Sequence, residues 1–371
     1  MTNAYTRRQF AYMMAAQPAV RIGIVGGGFG SQFQWHLDPN CAVAAVCDIR
    51  PERLAVLQKA YRCDAAYSDF QEMLKAPGLN AVGVFTPAPL HVRMACDAMK
   101  AGKHVISAVP AGMSLDELDE LVDTVRRTGM KYMMAETSYY RPQIITCREW
   151  AREGKFGTIF NTEAEYHHEG LDSLFFDEHK RPTWRYGFPP MHYPTHCTGM
   201  VIPVTGERLT EVQAIGWGDG QEVLKNNAYK NPFWNTTAMF KTSKGHASRI
   251  SVFWHIAARE TERASFYGDR MSYIMERPEG SPNSVFVSNK PQPFTQANHF
   301  ERLPEPMRVK TGHGNSHTFL THEFVSAIAE NRHPTVNVWE AAAYTAPGIV
   351  AHQSALRGGA LLKIKDFGVA S

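Results

Sequence analysis

The stretch AVRIGIVGGGFGSQF, residues 19–33, restricts what this chain of 371 residues can fold into more than any other feature. An apolar run leads into Gly26-Gly27-Gly28-Phe29-Gly30-Ser31, and a helix-compatible segment follows. Glycine lets a backbone turn tightly and approach a ligand closely. A helix starting at such a turn offers free N–H groups and a positive partial charge to a phosphate. Read as G-x-G-x-x-[G/S], the key positions are Gly26, Gly28 and Ser31, with Phe29 and Gly30 inside the turn. A glycine turn alone is weak evidence. Here a second apolar run, CAVAAVCDI (41–49), brings Asp48 to its end, 22 residues after Gly26, where a carboxylate binds the hydroxyls of an adenosine ribose. Together these features imply a dinucleotide site. A carboxylate at 48 repels a 2′-phosphate and favours NAD over NADP, while Arg50 keeps the second option open.

Three more apolar runs, at 79–87, 104–110 and 131–137, alternate with helical patterns at 51–61, 89–102 and 114–129. In the last of these, Ser114 and Glu117 form a capping box, and Gly129 stands where a C′ residue closes a helix. Continuous apolar strands separated by amphipathic helices predict a parallel sheet covered on both faces. After about residue 142 the texture changes. Strand-like segments lie at 157–170, 209–218, 235–244, 247–256 and 263–276, and several of them alternate apolar with polar residues, as antiparallel strands with one covered face do. Residues 278–312, rich in Pro, Asn and Gly, read as loop, and helices return at 317–332 and 338–356. The expected fold class is α/β: an arm over 1–19, an N-terminal Rossmann domain over 20–142, and a C-terminal α/β domain over 143–371 with a large, mostly antiparallel open sheet.

Net charge is +3 with no basic block of the kind that tracks phosphates, so nucleic acid is not an expected partner. No apolar run reaches the roughly 18 residues of a membrane span. The six cysteines are scattered without a C-x-x-C pair, as buried reduced thiols of a cytosolic protein would be. TRRQFAYMMAA (6–16) starts like a twin-arginine signal, but Gln17-Pro18 follow at once. A cytoplasmic location is expected, with export left open.

TPAPLH (86–91), followed by ACDAMKAGKHVISAVPAGMSLDELDELV, resembles the Gfo/Idh/MocA oxidoreductase family. The resemblance covers nearly the whole chain and is strongest over 20–140. It implies that Thr86, Pro87 and His91 border the cofactor, and that the loop after the fourth strand, with Pro110, approaches the nicotinamide. One departure matters. Dehydrogenases of this family carry Glu-Lys-Pro in that loop, and the lysine helps deprotonate the substrate hydroxyl; here the triplet is Ala108-Val109-Pro110. Valine takes no proton, so another group must serve as base.

AETSYY (135–140), EAEYHHEG (163–170) and HYPTH (192–196) resemble the NAD-dependent redox glycosidases of this superfamily, of the α-N-acetylgalactosaminidase kind. That resemblance implies site roles for Glu136, Tyr166, His168, Tyr193 and His196, with Glu136 also near the cofactor. GHGNSH (312–317) adds His313 as a weaker candidate. In the mechanism implied, tightly held NAD⁺ oxidises the sugar C3 hydroxyl and the ketone acidifies the C2 proton. Elimination then expels the aglycone, water adds, and hydride returns.

His192 and His196 are four apart, a spacing that suits two metal ligands on one helix face. Pro194 lies between them, however, and proline belongs at a helix start rather than inside. It puts His192 before the helix and His196 in its first turn. His167 and His168 point to opposite faces of a regular strand. No metal site is expected. A near-neutral histidine suits hydride chemistry, because it accepts the alcohol proton as hydride leaves. His196 is the first choice for base, with Tyr193 positioning or sharing the proton. Glu136 ends an apolar strand, where doubly wound sheets bind ligands. Trp184, Tyr186 and Phe188 offer aromatic faces to a sugar, and Lys180, Arg181 and Arg185 read as solvated, one of them available to an acidic substituent.

Three readings follow: an NAD-dependent oxidoreductase acting on a sugar or glycoside hydroxyl at C3, a redox glycosidase sharing that first step, or a non-catalytic NAD-binding regulator. The alternating face of ASRISVFWHI (247–256) suggests packing against another copy, so a homo-oligomer, dimer or tetramer, is expected.

Overall fold

A computed structural model describes residues 18–168, 171–257, 260–277 and 279–370. The arginine-pair stretch at 6–16 lies outside them, as do Glu169 and Gly170 of EAEYHHEG.

The first sheet holds β1 (Val20–Val25), β2 (Cys41–Cys47), β3 (Ala66–Tyr67), β4 (Ala81–Val84), β5 (His104–Ser107) and β6 (Tyr132–Met134) in the order β3-β2-β1-β4-β5-β6. Every pairing is parallel. Helices α1 (Pro51–Tyr61), α2 (His91–Lys100) and α3 (Leu115–Thr128) make crossovers. Strand order reverses between β1 and β4, and the crevice beyond the carboxyl ends of those strands is where such sheets bind ligands. The capping box of α3 forms with a variation. The Ser114 side chain accepts from the Glu117 N–H at 3.2 Å, while the Glu117 carboxylate accepts from the Met113 N–H at 2.6 Å. Gly129 closes the helix at φ 69°.

Helix α4 (Pro142–Arg152), with Pro142 in its first turn, leads to a nine-stranded sheet. Its strands are β7 (Ile159–His167), β8 (Leu209–Trp217), β9 (Asn235–Thr242), β10 (Ala247–Phe253), β11 (Thr261–Gly268), β12 (Met271–Ile274), β13 (Ser284–Val287), β14 (Lys290–Gln292) and β15 (Leu362–Lys363). They lie in the order β14-β13-β12-β11-β7-β10-β9-β8-β15, antiparallel except for the pair β7–β10. The segment 278–312 is therefore not loop throughout. It contains the β13–β14 hairpin, turned at Ser288 and Asn289, both with positive φ. β14 is exposed at every residue, so it lacks the apolar alternation that marks a strand in sequence.

Helices α5 (Thr195–Thr205), α6 (Gly312–Ala329) and α7 (Val338–Leu356) are the longer helices of the C-terminal half among the described residues. Helix α5 packs on β7 and β11, and α7 packs on β8 while also touching α3 and β6. The Met134 N–H donates to the Val336 carbonyl at 3.0 Å, which ties the end of the first sheet to the chain entering α7. The other face of the large sheet is open. Arg249 bridges Glu163 and Glu165 on it, His167 stacks on Phe253 at 4.4 Å, and Ile215, Trp217 and Met239 are exposed. No helix among the described residues is long and apolar enough to cross a membrane.

Candidate active site

A cleft of about 1170 Å³ runs from the carboxyl ends of β1 and β2 to the inner face of the large sheet. At its first end Gly26 has φ 100°, and a Cβ there would stand 2.3 Å from the Phe85 carbonyl oxygen. The same substitution at Gly27 would meet the Arg53 carbonyl oxygen at 2.3 Å. No side chain fits in this turn, so its backbone stays open to the cleft. Asp48, nearly buried, accepts from the Gly27 N–H at 2.6 Å and the Arg50 N–H at 2.9 Å, and both Asp48 and Arg50 line the cleft. The carboxylate thus braces the glycine turn it faces.

Phe29, Thr86 and Pro87 line the cleft as well. Gly28, Gly30 and Pro110 do not: Gly30 and Pro110 serve through carbonyls that accept from Tyr61 and sit against His91, at 2.5 Å and 2.8 Å. His91 Nε2 lies 2.8 Å from the Thr86 carbonyl, so this one buried ring spans the loops after β4 and β5. A side-chain-free turn, a carboxylate at the next strand end and a cleft long enough to continue past them fit NAD.

At the other end the turn at Pro189–Tyr193 delivers α5, with Pro194 just before its first residue. His196, in the first turn, is buried and reaches the cleft wall. Its Nδ1 lies 2.9 Å from Glu136 Oε1 and 3.1 Å from Ser138 Oγ. Glu136 is wholly buried and does not line the cleft. It stands one layer behind His196, accepting from the Ser138 N–H at 2.9 Å, and so touches neither a cofactor nor a substrate in the cleft. Gly199 makes room for it: a Cβ at 199 would lie 2.5 Å from Glu136 Cγ.

The network continues inward. Ser138 Oγ donates to Glu262 Oε1 at 2.5 Å, and Arg141 forks Glu262 through Nε at 2.5 Å and through Nη2. Burial opposes ionisation of Glu262, but the Arg141 guanidinium overrides it and holds the carboxyl down at about 2. Burial also opposes protonation of His196, yet the adjacent Glu136 lifts its pKa above the ordinary histidine value. The Glu136 carboxyl is lowered in turn: burial resists, and the His196 charge prevails. With Nδ1 directed at a carboxylate, the proton of the neutral ring sits on Nδ1, and Nε2 keeps its lone pair. Two carboxylates, one guanidinium and a neutral imidazole sum to one negative charge. The buried group reaches neutrality when His196 takes a proton.

Tyr166 and Tyr193 stack at 5.9 Å, and both rings flank His196, at 4.6 Å and 5.2 Å. Burial pushes both phenol pKa values up; for Tyr193 the nearby Arg185 works against that push without cancelling it. Both are hydrogen-bond donors rather than bases. His168 lines the cleft just past β7, with its Nε2 3.8 Å from the Glu260 carboxylate, while His167 faces the open side of the sheet. His192 turns away to pack edge-on against His352 at 5.1 Å, where burial holds its pKa at about 3. Among the described residues no group of three or more His, Cys, Asp or Glu could hold a metal ion.

Residues 20–136 match the family described as oxidoreductase family, NAD-binding Rossmann fold. The matched stretch is the Rossmann domain of this chain, and the model is that of the Gfo/Idh/MocA oxidoreductases. Several curated relatives called glycosyl hydrolase family 109 protein match over nearly the whole chain. One from Solibacter usitatus is 26% identical, covering 94% of this chain and 88% of its own length. Another, from Streptomyces coelicolor, is 24% identical, covering 95% and 84%. Among solved structures, levoglucosan dehydrogenase in complex with NADH and levoglucosan superposes with a TM-score of 0.77 at 18% identity, over 93% of this chain and 99% of that one. At such identity the likeness shows the shared fold.

Val109 lines the cleft where the resemblance led one to look for a lysine, and His196 is the histidine lifted toward protonation there. Ser138, Arg141 and Glu262 are site residues that the sequence did not single out. Glu262 reaches the network because β11 pairs with β7 in a register that sets it opposite Tyr166. Arg185, read as solvated, instead lines the cleft with its guanidinium 4.2 Å from the Trp184 ring centre, and no ion pair to it occurs among the described residues. Arg181 is paired with Asp177 at 2.8 Å. Trp184 and Phe188 line the cleft, whereas Tyr186 packs against Phe175 and Phe176 outside it.

Proposed function

We propose that this protein oxidises a hydroxyl of a sugar or glycoside, at C3, with His196 as the base. NAD⁺ held along the glycine turn supplies the hydride acceptor. The observation that carries the proposal is the 2.9 Å contact between His196 Nδ1 and the buried Glu136 carboxylate at the cleft wall. It fixes the tautomer, directs Nε2 to the substrate, and stabilises the imidazolium formed when the hydroxyl proton arrives. Tyr166 and Tyr193 orient sugar oxygens as neutral donors, His168 and Arg185 offer further donors, and Trp184 and Phe188 give apolar faces.

The names of the curated relatives support a second reading, in which the same oxidation opens glycoside cleavage. A non-catalytic regulator has no use for a buried carboxylate–imidazole pair, one proton short of neutrality, on the cleft wall. A cytoplasmic setting suits the six cysteines, all free and buried. A homo-oligomer suits the open sheet face, where Ile215, Trp217 and Met239 would be covered by a second copy.

The test is incubation with NAD⁺ and p-nitrophenyl glycosides of glucose, galactose, N-acetylglucosamine and N-acetylgalactosamine in D₂O. Net NADH with a keto-sugar supports oxidation. Nitrophenol release with deuterium at C2 and no net NADH supports cleavage. NAD binding without turnover on any of them overturns the proposal.

A further inference from the structure

Three successive residues at the entrance of α6 have left-handed backbone: His313 (φ 52°, ψ 48°), Gly314 (φ 64°, ψ 30°) and Asn315 (φ 70°, ψ 19°). Only glycine enters that region freely, and functional sites are where such conformations are retained. Asn315 holds the turn, its side-chain oxygen accepting from the Thr311 N–H at 2.9 Å and its carbonyl accepting from the Thr318 hydroxyl at 3.2 Å. The turn delivers His313 to the cleft, edge-on to Phe29 of the glycine loop at 5.7 Å.

The protons on this side of the cleft can be assigned by chemistry. His317 Nδ1 lies 3.2 Å from the Gln32 carbonyl, and a carbonyl only accepts. His317 therefore carries its proton on Nδ1. The ring is buried, stacked on Phe33 at 4.8 Å, and burial followed by the neighbouring His313 holds its pKa at about 4, so it is neutral. Its Nε2 is then an acceptor, and His313 Nδ1, 3.0 Å away, is the donor. Among the described residues no hydrogen bond to His313 Nε2 occurs, and this nitrogen keeps its lone pair. The arrangement repeats that of His196: a neutral imidazole anchored through Nδ1 with Nε2 available. Oxidising one hydroxyl takes one proton acceptor, and two of the imidazoles lining this cleft, His196 and His313, are anchored in this way.

We propose that His313 is the second base of the site, removing the proton from the carbon next to the ketone that the oxidation creates. The inference rests on the oxidoreductase reading above. In a 3-ketoglycoside the C2–H bond breaks, the proton passes to His313 Nε2, and the electron pair forms the enolate, with the negative charge on the C3 oxygen. Where C1 carries a leaving group, the enolate re-forms the C3 carbonyl and a C1–C2 double bond, and the C1–O bond breaks with its electron pair leaving on the departing oxygen, which takes a proton from water. His317 is a positioning residue that sets the tautomer of His313. The substrates for which the second base matters are glycosides, since a ketone without a leaving group at C1 only exchanges its C2 hydrogen.

Two measurements test the proposal. Histidine-selective ¹⁵N NMR of the protein without substrate should find both His313 and His317 as Nδ1–H tautomers at neutral pH, with His317→Phe releasing His313 to a mixture. The p-nitrophenyl glycosides above, with NAD⁺ in D₂O, give the second readout: deuterium incorporated at C2 per substrate oxidised, with NADH formation followed in the first turnover. In His313→Asn, whose new residue accepts left-handed backbone as Asn315 does, that ratio should fall about 10²- to 10⁴-fold. A ratio equal to wild type, or an Nε2–H tautomer at His313, overturns the proposal. Wild-type protein that oxidises but never exchanges C2 also overturns it and leaves the oxidation standing. Wild-type protein that does neither overturns the oxidoreductase reading and this inference with it.

Discussion

Replacing Glu136 with glutamine removes a charge from beside His196 while keeping the hydrogen-bond frame. The Ser138 N–H donates to Oε1, so the amide oxygen is held where the carboxylate oxygen was and still faces His196 Nδ1. What disappears is the attraction between carboxylate and imidazolium. For unit charges about 4 Å apart at an effective dielectric constant of about 20, that attraction is about 4 kcal/mol. One pKa unit corresponds to about 1.4 kcal/mol, so the His196 pKa should fall by about 3 units, toward the value burial alone would impose. His196 must be neutral to accept a proton, so kcat/KM declines on the acid side of its pKa, which in the wild type lies above the ordinary 6.5. In Glu136→Gln that acid limb should move about 2–3 pH units lower, and the plateau above it should drop roughly 10²- to 10⁴-fold because the base is weaker. The assay is NADH formation at limiting glycoside across pH, with NAD⁺ saturating. An acid limb that stays at the wild-type pH would mean that the titrating group is not the partner of Glu136 and would rule out His196 as the base.

Gly199→Ala pushes a methyl against Glu136 Cγ, which lies 2.5 Å from the ideal Cβ position; overpacking of this kind costs about 1–3 kcal/mol, so a lower Tm and a lower kcat with unchanged NAD affinity are expected. Glu262 ionises at about 2 in the fold against an ordinary 4.5, so its pairing stabilises the protein above pH 4.5 and is lost as pH falls through 2. The contribution is about 3 kcal/mol, read from urea midpoints between pH 5 and 2, and Glu262→Gln should remove it. Asp48→Ser removes the carboxylate that faces the Gly27 N–H, so NAD affinity measured by fluorescence titration should fall roughly 10- to 100-fold and the preference over NADP should narrow.

The Rossmann half was legible because its strands are covered on both faces and read as unbroken apolar runs, punctuated by Gly26, Ser114 and Gly129. β3 escaped notice because Ala66–Tyr67 is too short to make a run. In the large sheet, the seven- to nine-residue strands alternate visibly, whereas the β13–β14 hairpin sits at an exposed edge with no covered face to pattern it. The site divides in the same way. Asp48 stands out by its spacing from Gly26, His196 stands out only through the resemblance of HYPTH and the valine at 109, and Pro194 alone was enough to separate His192 from His196. Glu262 and Arg141 are 121 residues apart, and only the register of β11 on β7 joins them. Likewise Glu136 announces itself as a strand-end carboxylate, but its place behind His196 rather than in the cleft depends on the space left by Gly199 on α5.

In the proposed reaction His196 takes the hydroxyl proton as hydride leaves. Single-turnover NADH formation by His196→Asn, alongside NAD⁺ binding to the same protein, tests it most directly. NAD⁺ affinity should stay within about threefold of wild type, and the rate of NADH formation should drop by about 10²- to 10⁴-fold. NADH formed at the wild-type rate by protein lacking this imidazole would contradict it.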